Sequence, residues 1–389
     1  MFPSHPASHC LDWDCSECLA GADVVLAVRC QREVLTDVKS LLFMASVILL
    51  GQAALCPLIR AESAKERRDR GEPDTSFRVS MLEGEAVPLP TDRFSVRQVN
   101  SLWHDGKYYI YADVIGWDNP KHPASYGSSI GVYSSPDGRQ WAYHGIVVAP
   151  GAEGKWDFGG VATPGAIKHR GKFYVFYSGR EKKNGLGDRL LGLAVAEKPT
   201  GPFRKLTEPI FPLEGHPQDG PCFDDPCLAA RPGDDKVYLY YRYARWRNRK
   251  PEAYDYSIRL RTSTDPEKSW SDSKIVVGPE AGGNVVETID AKWINGQFVL
   301  VALDYRPGAA MYVSTDGETF RRCKKKSFSD HVTFTRSSPC THLPGLLTDD
   351  QGRCRFMNTA GVTDDQGHFT QWIYPIECTG GPAEGTVGH

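Results

Sequence analysis

The stretch PGAIKHRGKFYVFYSGR, residues 164–180, has the pattern of a β-hairpin. A first strand leads to a turn that contains Gly171, and a second strand rich in aromatic residues follows the turn. Aromatic residues favour strands, and glycine suits a tight turn because it adopts positive φ angles at little steric cost. The stretch therefore predicts two neighbouring antiparallel strands.

This hairpin pattern occurs five times along the chain. The other copies are VNSLWHDGKYYIYADV (99–114), PCLAARPGDDKVYLYYRY (226–243), IDAKWINGQFVLVALD (289–304) and PGLLTDDQGRCRFMNTA (344–360). The turn glycines follow one another at intervals of about 55 to 65 residues, and they are Gly106, Gly171, Gly233, Gly296 and Gly352. Such a period fits the four-stranded blades of a β-propeller with long loops.

A second kind of strand pair separates the copies. It is found at residues 130–147, 191–211, 258–277 and 309–323, where apolar and polar residues alternate around a DG, TG or DP turn. These pairs predict the two outer strands of each blade. The predicted fold is all-β, a five-bladed β-propeller with four-stranded antiparallel blades around a central channel. An open β-sandwich is the alternative, but sandwiches do not repeat one sequence unit five times.

The N-terminal part of the chain predicts export. Residues 41–56, LLFMASVILLGQAALC, form an apolar run after Lys39 that is typical of a secretory signal peptide. A membrane anchor is the alternative, although the run is shorter than the roughly 20 residues that a spanning helix needs. We expect residues 1–38 to be unstructured or to precede the true start, 39–64 to be the signal peptide, 65–82 a linker, 83–379 the propeller and 380–389 a disordered tail.

Composition limits the partners of the protein. The formal net charge is −2, whereas a nucleic-acid-binding protein would show a basic excess. We expect a secreted or periplasmic protein without nucleic-acid or membrane partners once the signal is removed. Six cysteines follow the signal, and candidate disulfides join Cys222 to Cys227 and Cys340 to Cys354. The sequence does not specify the oligomeric state.

One end of the propeller is expected to carry the ligand site. Since strands alternate in direction, the start of each inner strand shares this end with the loop between the second and third strands of its blade. The residues just before the turn-bearing strands therefore crowd the central channel, and they are Gln98, Thr163, Asp225, Glu287 and His342. A concave centre lined by converging polar groups is the usual place for a ligand.

Two of these residues carry carboxyl groups. Asp225 and Glu287 begin the inner strands of neighbouring blades. Cleavage of a glycosidic bond normally uses two carboxyl groups, one protonated and one ionised. Each residue alone has a simpler explanation, a turn cap for Asp225 and a solvated strand end for Glu287. Their equivalent places in two repeats favour a catalytic role.

At these residues the chain resembles the five-bladed glycoside hydrolases of family 43 and its relatives, over roughly residues 88–378. The resemblance implies that Asp225, in Asp225-Pro226, tunes the acid and orients the substrate, and that Glu287 is the general acid. Thr163-Pro164 resembles an Ala-Pro of the second blade. His342 matches a channel histidine that sometimes lies near a bound calcium ion, while no cofactor is required and no metal ligands are predicted.

The first blade departs from the family pattern. In the family, the general base is the aspartate of an Asp-Pro pair in this blade. Gln98-Val99 occupies the corresponding place in this chain. A glutamine cannot take a proton from water, so another carboxylate must act or hydrolysis by this route is lost. Asp157, in the stretch KWDFGGVATP, is the preferred substitute, with Trp156 as the wall of a sugar subsite; Asp92 is the second candidate. A structural turn is the alternative role for Asp157.

Three further residues are candidate substrate ligands. Arg180 and Arg242 would bind sugar hydroxyls, carboxylates or sulfates, or else form ion pairs with a neighbouring blade. Trp246 lies in a basic loop that would stack on an acidic or sulfated glycan, or remain solvated. The sequence thus predicts an exo-acting, inverting glycosidase for plant or algal oligosaccharides and polysaccharides. The alternative is a carbohydrate-binding propeller that has lost its base.

Overall fold

The computed structural model describes residues 77–91, 94–116, 128–181, 189–211, 221–245, 257–278, 285–304, 309–323, 345–362 and 369–381. The chain divides into two units, Met1–Glu72 and Pro73–His389, and all described residues belong to the second. For residues 285–288, which include Glu287, the description covers the backbone. The expectations for residues 1–64 lie outside the described residues. Within them, no helix is long and apolar enough to cross a membrane.

The described chain is all-β, as predicted, and its strands form five antiparallel sheets. Two short strands come first, β1 (Arg78–Met81) and β2 (Val87–Pro88). Blade 1 contains β3 (Phe94–His104), β4 (Lys107–Gly116), β5 (Ser129–Ser135) and β6 (Ala142–Val148). Blade 2 contains β7 (Gly160–His169), β8 (Lys172–Arg180), β9 (Leu190–Ala196) and β10 (Arg204–Lys205).

The remaining strands form three more blades. Blade 3 contains β11 (Pro221–Ala229), β12 (Val237–Arg245), β13 (Ser257–Ser263) and β14 (Lys274–Val277). Blade 4 contains β15 (Val285–Ile294), β16 (Gln297–Asp304), β17 (Ala309–Ser314) and β18 (Arg321–Arg322). Blade 5 contains β19 (Gly345–Thr348), β20 (Cys354–Val362) and β21 (Phe369–Thr379), followed by β1.

The blades close into a ring around their first strands. The strands β3, β7, β11, β15 and β19 contact one another in that order, and β19 contacts β3 again. All five turn glycines of the repeats have positive φ angles, between 68° and 82°. The five-bladed propeller and the hairpin turns predicted from the repeats are therefore confirmed.

The outer strand of blade 5 comes from the other end of the described chain. β1 pairs with β21, with Val79 opposite Cys378, and β2 also pairs with β21. β1 lies inside the segment 65–82 that the sequence predicts to be a linker, so ordered structure begins earlier than expected. The four outer pairs read from the sequence left blade 5 without one, and the ring is closed by a strand that precedes the first repeat.

The hydrophobic core lies between blades rather than within the channel. Five clusters of buried residues fill the five interfaces between adjacent blades. Each cluster contains at least one large aromatic side chain, and Tyr111, Tyr177 and Tyr240 are fully buried. The hydroxyl groups of Tyr111 and Tyr240 donate hydrogen bonds to the carbonyl oxygens of Pro199 and Gly317, which satisfies their polar ends. This packing leaves the channel side of the inner strands for polar residues.

Two of the cysteines considered for disulfides are free. Cys227 lies in the interface between blades 3 and 4 and Cys354 in that between blades 4 and 5, both buried as thiols. The candidate links of Cys222 to Cys227 and of Cys340 to Cys354 are therefore wrong for this structure. Burial in apolar surroundings raises the pKa of both thiols.

Candidate active site

An irregularity in strand pairing marks the same place in four blades. The register shifts between Val96 and Val99, Ala162 and Gly165, Asp224 and Cys227, and Val285 and Ile289. The residues inside these β-bulges are four of those predicted from the sequence, Gln98, Thr163, Asp225 and Glu287. Bulges redirect side chains and are frequent next to active sites. The structure thus brings the four positions to equivalent points of the ring.

Two of the bulged residues have an unusual backbone. Thr163 and Asp225 have φ angles of 50° and 51°, in the left-handed region that residues other than glycine rarely adopt. Such conformations cost free energy and tend to occur where function requires them. They also have a geometric effect here, because they turn each side chain out of the ordinary alternation of its strand.

Gln98 and Asp225 meet across the channel. The side-chain amide of Gln98 donates a hydrogen bond from Nε2 to Oδ1 of Asp225, with a length of 2.9 Å. Blades 1 and 3 are not neighbours, so this contact spans the centre of the ring. Asp225 is 4% exposed, and its Oδ2 lies 3.0 Å from Nε of Arg242. Arg242, for which the sequence predicts either a substrate ligand or an ion-pair partner, binds this carboxylate.

Asp224, the residue before Asp225, has a different role. It is fully buried, and its Oδ1 accepts hydrogen bonds from Thr163, Ser178 and the backbone amide of Asp225. Its Oδ2 is bound by Arg242 at 2.7 Å and by Arg189. A carboxylate with this many donors acts as an anchor between blades 2 and 3.

Asp224, Ser178 and Arg189 are not among the residues predicted from the sequence. Neighbouring residues of a regular strand point to opposite faces, so the pattern FDDP suggests one aspartate in the channel and one outside it. The bulge removes that alternation, and Arg242 contacts both Asp224 and Asp225. Ser178 and Arg189 carry no sequence signal that distinguishes them from ordinary polar residues.

Asp157 does not lie with this group. Its carboxylate accepts hydrogen bonds from Tyr177 at 3.2 Å and from Lys205 at 2.6 Å, and the residue is 3% exposed. Lys205 belongs to β10, the outer strand of blade 2. The expectation that Asp157 reaches across the channel is therefore corrected: it holds a turn against the outside of its own blade.

Trp156 packs against Tyr177, the residue that also binds Asp157. Its ring stacks on Tyr177 with centroids 5.9 Å apart and an angle of 9° between the planes. The approach requires Gly179, because a Cβ at that position would lie 2.4 Å from the tryptophan ring. Burial and the neighbouring Asp157 carboxylate raise the pKa of the Tyr177 phenol, so the phenol stays a donor. Trp156, which suggested the wall of a sugar subsite, packs on Tyr177 in this structure.

Of the remaining predicted substrate ligands, the structure describes Arg180. Arg180 is buried at the end of β8, where its carbonyl oxygen accepts a hydrogen bond from Gly159. Trp246, His342 and Asp92 lie outside the described residues, so the resemblance of His342 to a channel histidine that sometimes lies near calcium stays a prediction. Among the described residues, no three His, Cys, Asp or Glu side chains are grouped to hold a metal.

A layer of buried polar residues lies below the bulges. Asn100 donates a hydrogen bond of 2.8 Å to Asp290 and accepts one from the backbone amide of Ala166. Asp290 also accepts from the backbone of Leu346 and lies 3.2 Å from Nζ of Lys292. These bonds connect blades 1, 2, 4 and 5. Buried networks of this kind rigidify a site when every member is satisfied.

Comparison with known proteins agrees with this geometry. The model of the family Glycosyl hydrolases family 43 matches residues 98–306, more than half of the chain. No curated protein matches the sequence. Among solved structures, Zg3597, a family 117 glycoside hydrolase from the marine bacterium Zobellia galactanivorans, is similar with a TM-score of 0.55 and 20% identity, over 78% of this chain and 90% of that one.

Two further similar structures contain an oligosaccharide. CoXyl43, a β-xylosidase/α-arabinofuranosidase of family 43 from a compost microbial metagenome in complex with xylotriose, has a TM-score of 0.53 and 16% identity over 77% of this chain and 95% of that one. A family 43 enzyme of Xanthomonas citri complexed with xylotriose has a TM-score of 0.54 and 15% identity over 75% and 89%. At these identities the likeness concerns the fold.

Proposed function

Because this chain belongs to glycosyl hydrolases family 43 and is a glycosidase, we propose that it removes terminal sugars from plant or algal oligosaccharides and polysaccharides with inversion, using Glu287 as the general acid. The observation that supports this most is the ring of equivalent bulges. Asp225 and Glu287 occupy two of them in adjacent blades. The contact of Gln98 with Asp225 across the channel supports a site at this end of the ring.

The proposed chemistry uses the difference between the two carboxyl groups. Arg242 and Gln98 bind the two oxygens of the Asp225 carboxylate. A second carboxyl beside an ionised one binds its proton more tightly because of like charge. We therefore expect Glu287 to be protonated at neutral pH and to donate that proton to the leaving oxygen of the sugar.

The substrate belongs to the carbohydrates, and its finer identity is part of the proposal. Xylotriose in two similar structures supports an oligosaccharide of comparable size. The basic residues of the loop around Trp246 would contact carboxylate or sulfate groups of an acidic glycan. We propose that the enzyme acts after export, since the apolar run 41–56 is typical of a signal peptide.

The test is a panel of aryl glycosides and of plant and algal oligosaccharides, followed by reducing-end release. On the best oligosaccharide, Glu287→Gln should lower turnover by roughly 10²- to 10⁴-fold, the range for loss of a general acid. The loss should be much smaller with a glycosyl fluoride, whose leaving group needs no proton. The exposed Glu153 provides the control Glu153→Gln, which should behave as wild type. Equal losses on both substrates would contradict the assignment.

A binding propeller without hydrolysis is the second candidate, and Gln98 favours it. This residue stands where a carboxylate is expected, and it binds the carboxylate that remains. Tight binding of an oligosaccharide by the wild-type protein, with no product from any substrate of the panel, would support this alternative.

A further inference from the structure

We propose that Asp225, oriented by Gln98, is the general base that activates the attacking water. This proposal rests on the proposed function and adds the second catalytic residue to it. An inverting reaction needs a carboxylate on the side of the sugar opposite the acid. Of the four bulged positions, only Asp225 and Glu287 carry a carboxyl group, because the others are Gln98 and Thr163.

Two other described carboxylates, Asp224 and Asp157, have structural roles. Asp224 is fully buried and accepts hydrogen bonds from two hydroxyl groups, two arginines and a backbone amide. Asp157 is bound to Tyr177 and Lys205 on the outside of blade 2. Asp225 is ion-paired as well, with Arg242, but it is the carboxylate that Gln98 contacts across the channel. Asp225 differs, since its partners Gln98 and Arg242 both belong to the channel group.

Gln98 suits the task of orienting a water molecule. Its amide nitrogen is fixed on Oδ1 of Asp225 at 2.9 Å, which also fixes the direction of the amide oxygen, Oε1. An amide oxygen accepts hydrogen bonds. A water beside the pair donates one proton to the Asp225 carboxylate and the other to Oε1 of Gln98. The oxygen lone pair of that water then points away from both groups, toward the bound sugar.

The position of Asp225 is held by several independent restraints. Its φ angle of 51° turns the side chain into the channel, and Arg242 bridges it to the anchored Asp224. Residues locked by surrounding hydrogen bonds hold the geometry that catalysis requires. Asp224 is thus a positioning residue for the pair formed by Gln98 and Asp225.

The water oxygen forms a bond to the anomeric carbon while the bond from that carbon to the glycosidic oxygen breaks. One water proton passes to Asp225, and the proton of Glu287 passes to the leaving oxygen. Asp225 ends neutral and Glu287 ionised, and exchange with solvent restores both.

The test uses Asp225→Gly and Asp225→Asn, because glycine and asparagine tolerate the positive φ angle at this position. With an activated aryl glycoside, Asp225→Gly should lose at least about 10³-fold in turnover. Added azide should restore part of the rate and yield a glycosyl azide of inverted configuration. Loss of activity without any azide product would overturn the proposal.

The pH profile separates a base from a residue that only tunes the acid. For a general base, Asp225→Asn should remove the acidic limb of kcat/KM. A residue that only tunes the acid would leave the acidic limb in place and move only the alkaline limb to lower pH; retention of the acidic limb in Asp225→Asn would overturn the proposal. Gln98→Ala should lower kcat about 10-fold or more, and Gln98→Asn, with its shorter amide, should not restore it.

Failure of this proposal is distinguishable from failure of the proposed function. If wild type hydrolyses the substrate and Glu287→Gln shows the leaving-group dependence, the acid stands whatever Asp225 does. If wild type is inactive on the whole panel, the proposed function itself fails, and the base with it. Circular dichroism of each variant shows whether a loss of activity reflects unfolding.

Discussion

Asp225 in the channel and Asp157 at the edge of blade 2 are alike in burial and in their partners. Their exposed fractions are 4% and 3%, and each is bound to a basic side chain, Arg242 or Lys205. They differ in what surrounds the pair. Asp225 also contacts Gln98 from a blade that is not its neighbour, whereas Asp157 contacts Tyr177 of its own blade. Location in the ring, rather than burial or charge, separates Asp225, the proposed site residue, from Asp157.

The largest expected effect follows directly from this contrast. Asp225→Asn should reduce kcat/KM by roughly 10² to 10⁴, the range for removal of an acid or base group. Asp157→Asn should keep activity within a few-fold of wild type at a temperature where it is folded. Steady-state kinetics of both variants on one substrate provide the measurement. If Asp157→Asn were the inactive one, the two aspartates would have exchanged roles.

The second effect concerns the anchor beside Asp225. Asp224→Ala leaves Arg242 and Arg189 without their shared carboxylate, and breaking a buried ion pair typically costs about 3 to 5 kcal/mol. Denaturant unfolding should show this loss in the free energy of unfolding, and activity should fall as well because Arg242 no longer holds Asp225. The exposed Glu85 provides the control Glu85→Ala. A stability equal to wild type would show that Asp224 is not an anchor.

A smaller effect tests the structural role of Asp157. Asp157→Ala removes a charged hydrogen-bond partner from Lys205 and Tyr177, which should cost about 1 to 3 kcal/mol. A double-mutant cycle with Lys205→Met should show coupling, since both changes remove the same contact. Strict additivity in thermal or denaturant unfolding would mean that the pair contributes nothing.

The smallest effect lies in an outer turn far from the channel. Asp316 accepts hydrogen bonds from Ser314 and from the backbone amides of Glu318 and Thr319. Burial acts to raise the pKa of this carboxyl, but the hydrogen bonds outweigh it and lower the pKa to about 2. A lowered folded-state pKa stabilises the fold above the unfolded value near 4, and this stabilisation is lost as the pH falls toward 2.

The destabilisation caused by Asp316→Ala should therefore be complete at pH 6 and decrease below about pH 4. Unfolding by denaturant at several pH values measures it, with Glu85→Ala as a control. A difference that does not change between pH 6 and pH 3 would show that the hydrogen bonds do not favour the ionised form.

The fold could be predicted from the sequence because one hairpin pattern recurs five times along the chain. Each repeat carries its own turn glycine, and Gly106 and Gly171 adopt the positive φ angles that the pattern requires. The closing strand Arg78–Met81 could not be predicted, since its partner β21 is the last described strand along the chain. A single short strand has no repeat to reveal its partner.

The candidate site could be predicted only in part, because the repeats indicate positions but not the directions of side chains. The equivalent places of Asp225 and Glu287 follow from the repeats, and the structure puts both in bulges. The contacts of Gln98, Asp224 and Asp157 depend on which way a bulge or a turn directs a side chain. Sequence alternation predicts the direction in a regular strand, and it fails where the strand is irregular, as at Asp225.

The most direct measurement is a crystal structure of the Glu287→Gln variant with an oligosaccharide substrate. If Asp225 is the base, the terminal sugar lies in the channel, with a water between its anomeric carbon and the Asp225 carboxylate, and this water is also bound to Oε1 of Gln98; we expect this result from the assignment. A sugar bound against Asp157 and Trp156, or a terminal sugar with no water beside Asp225, would contradict it.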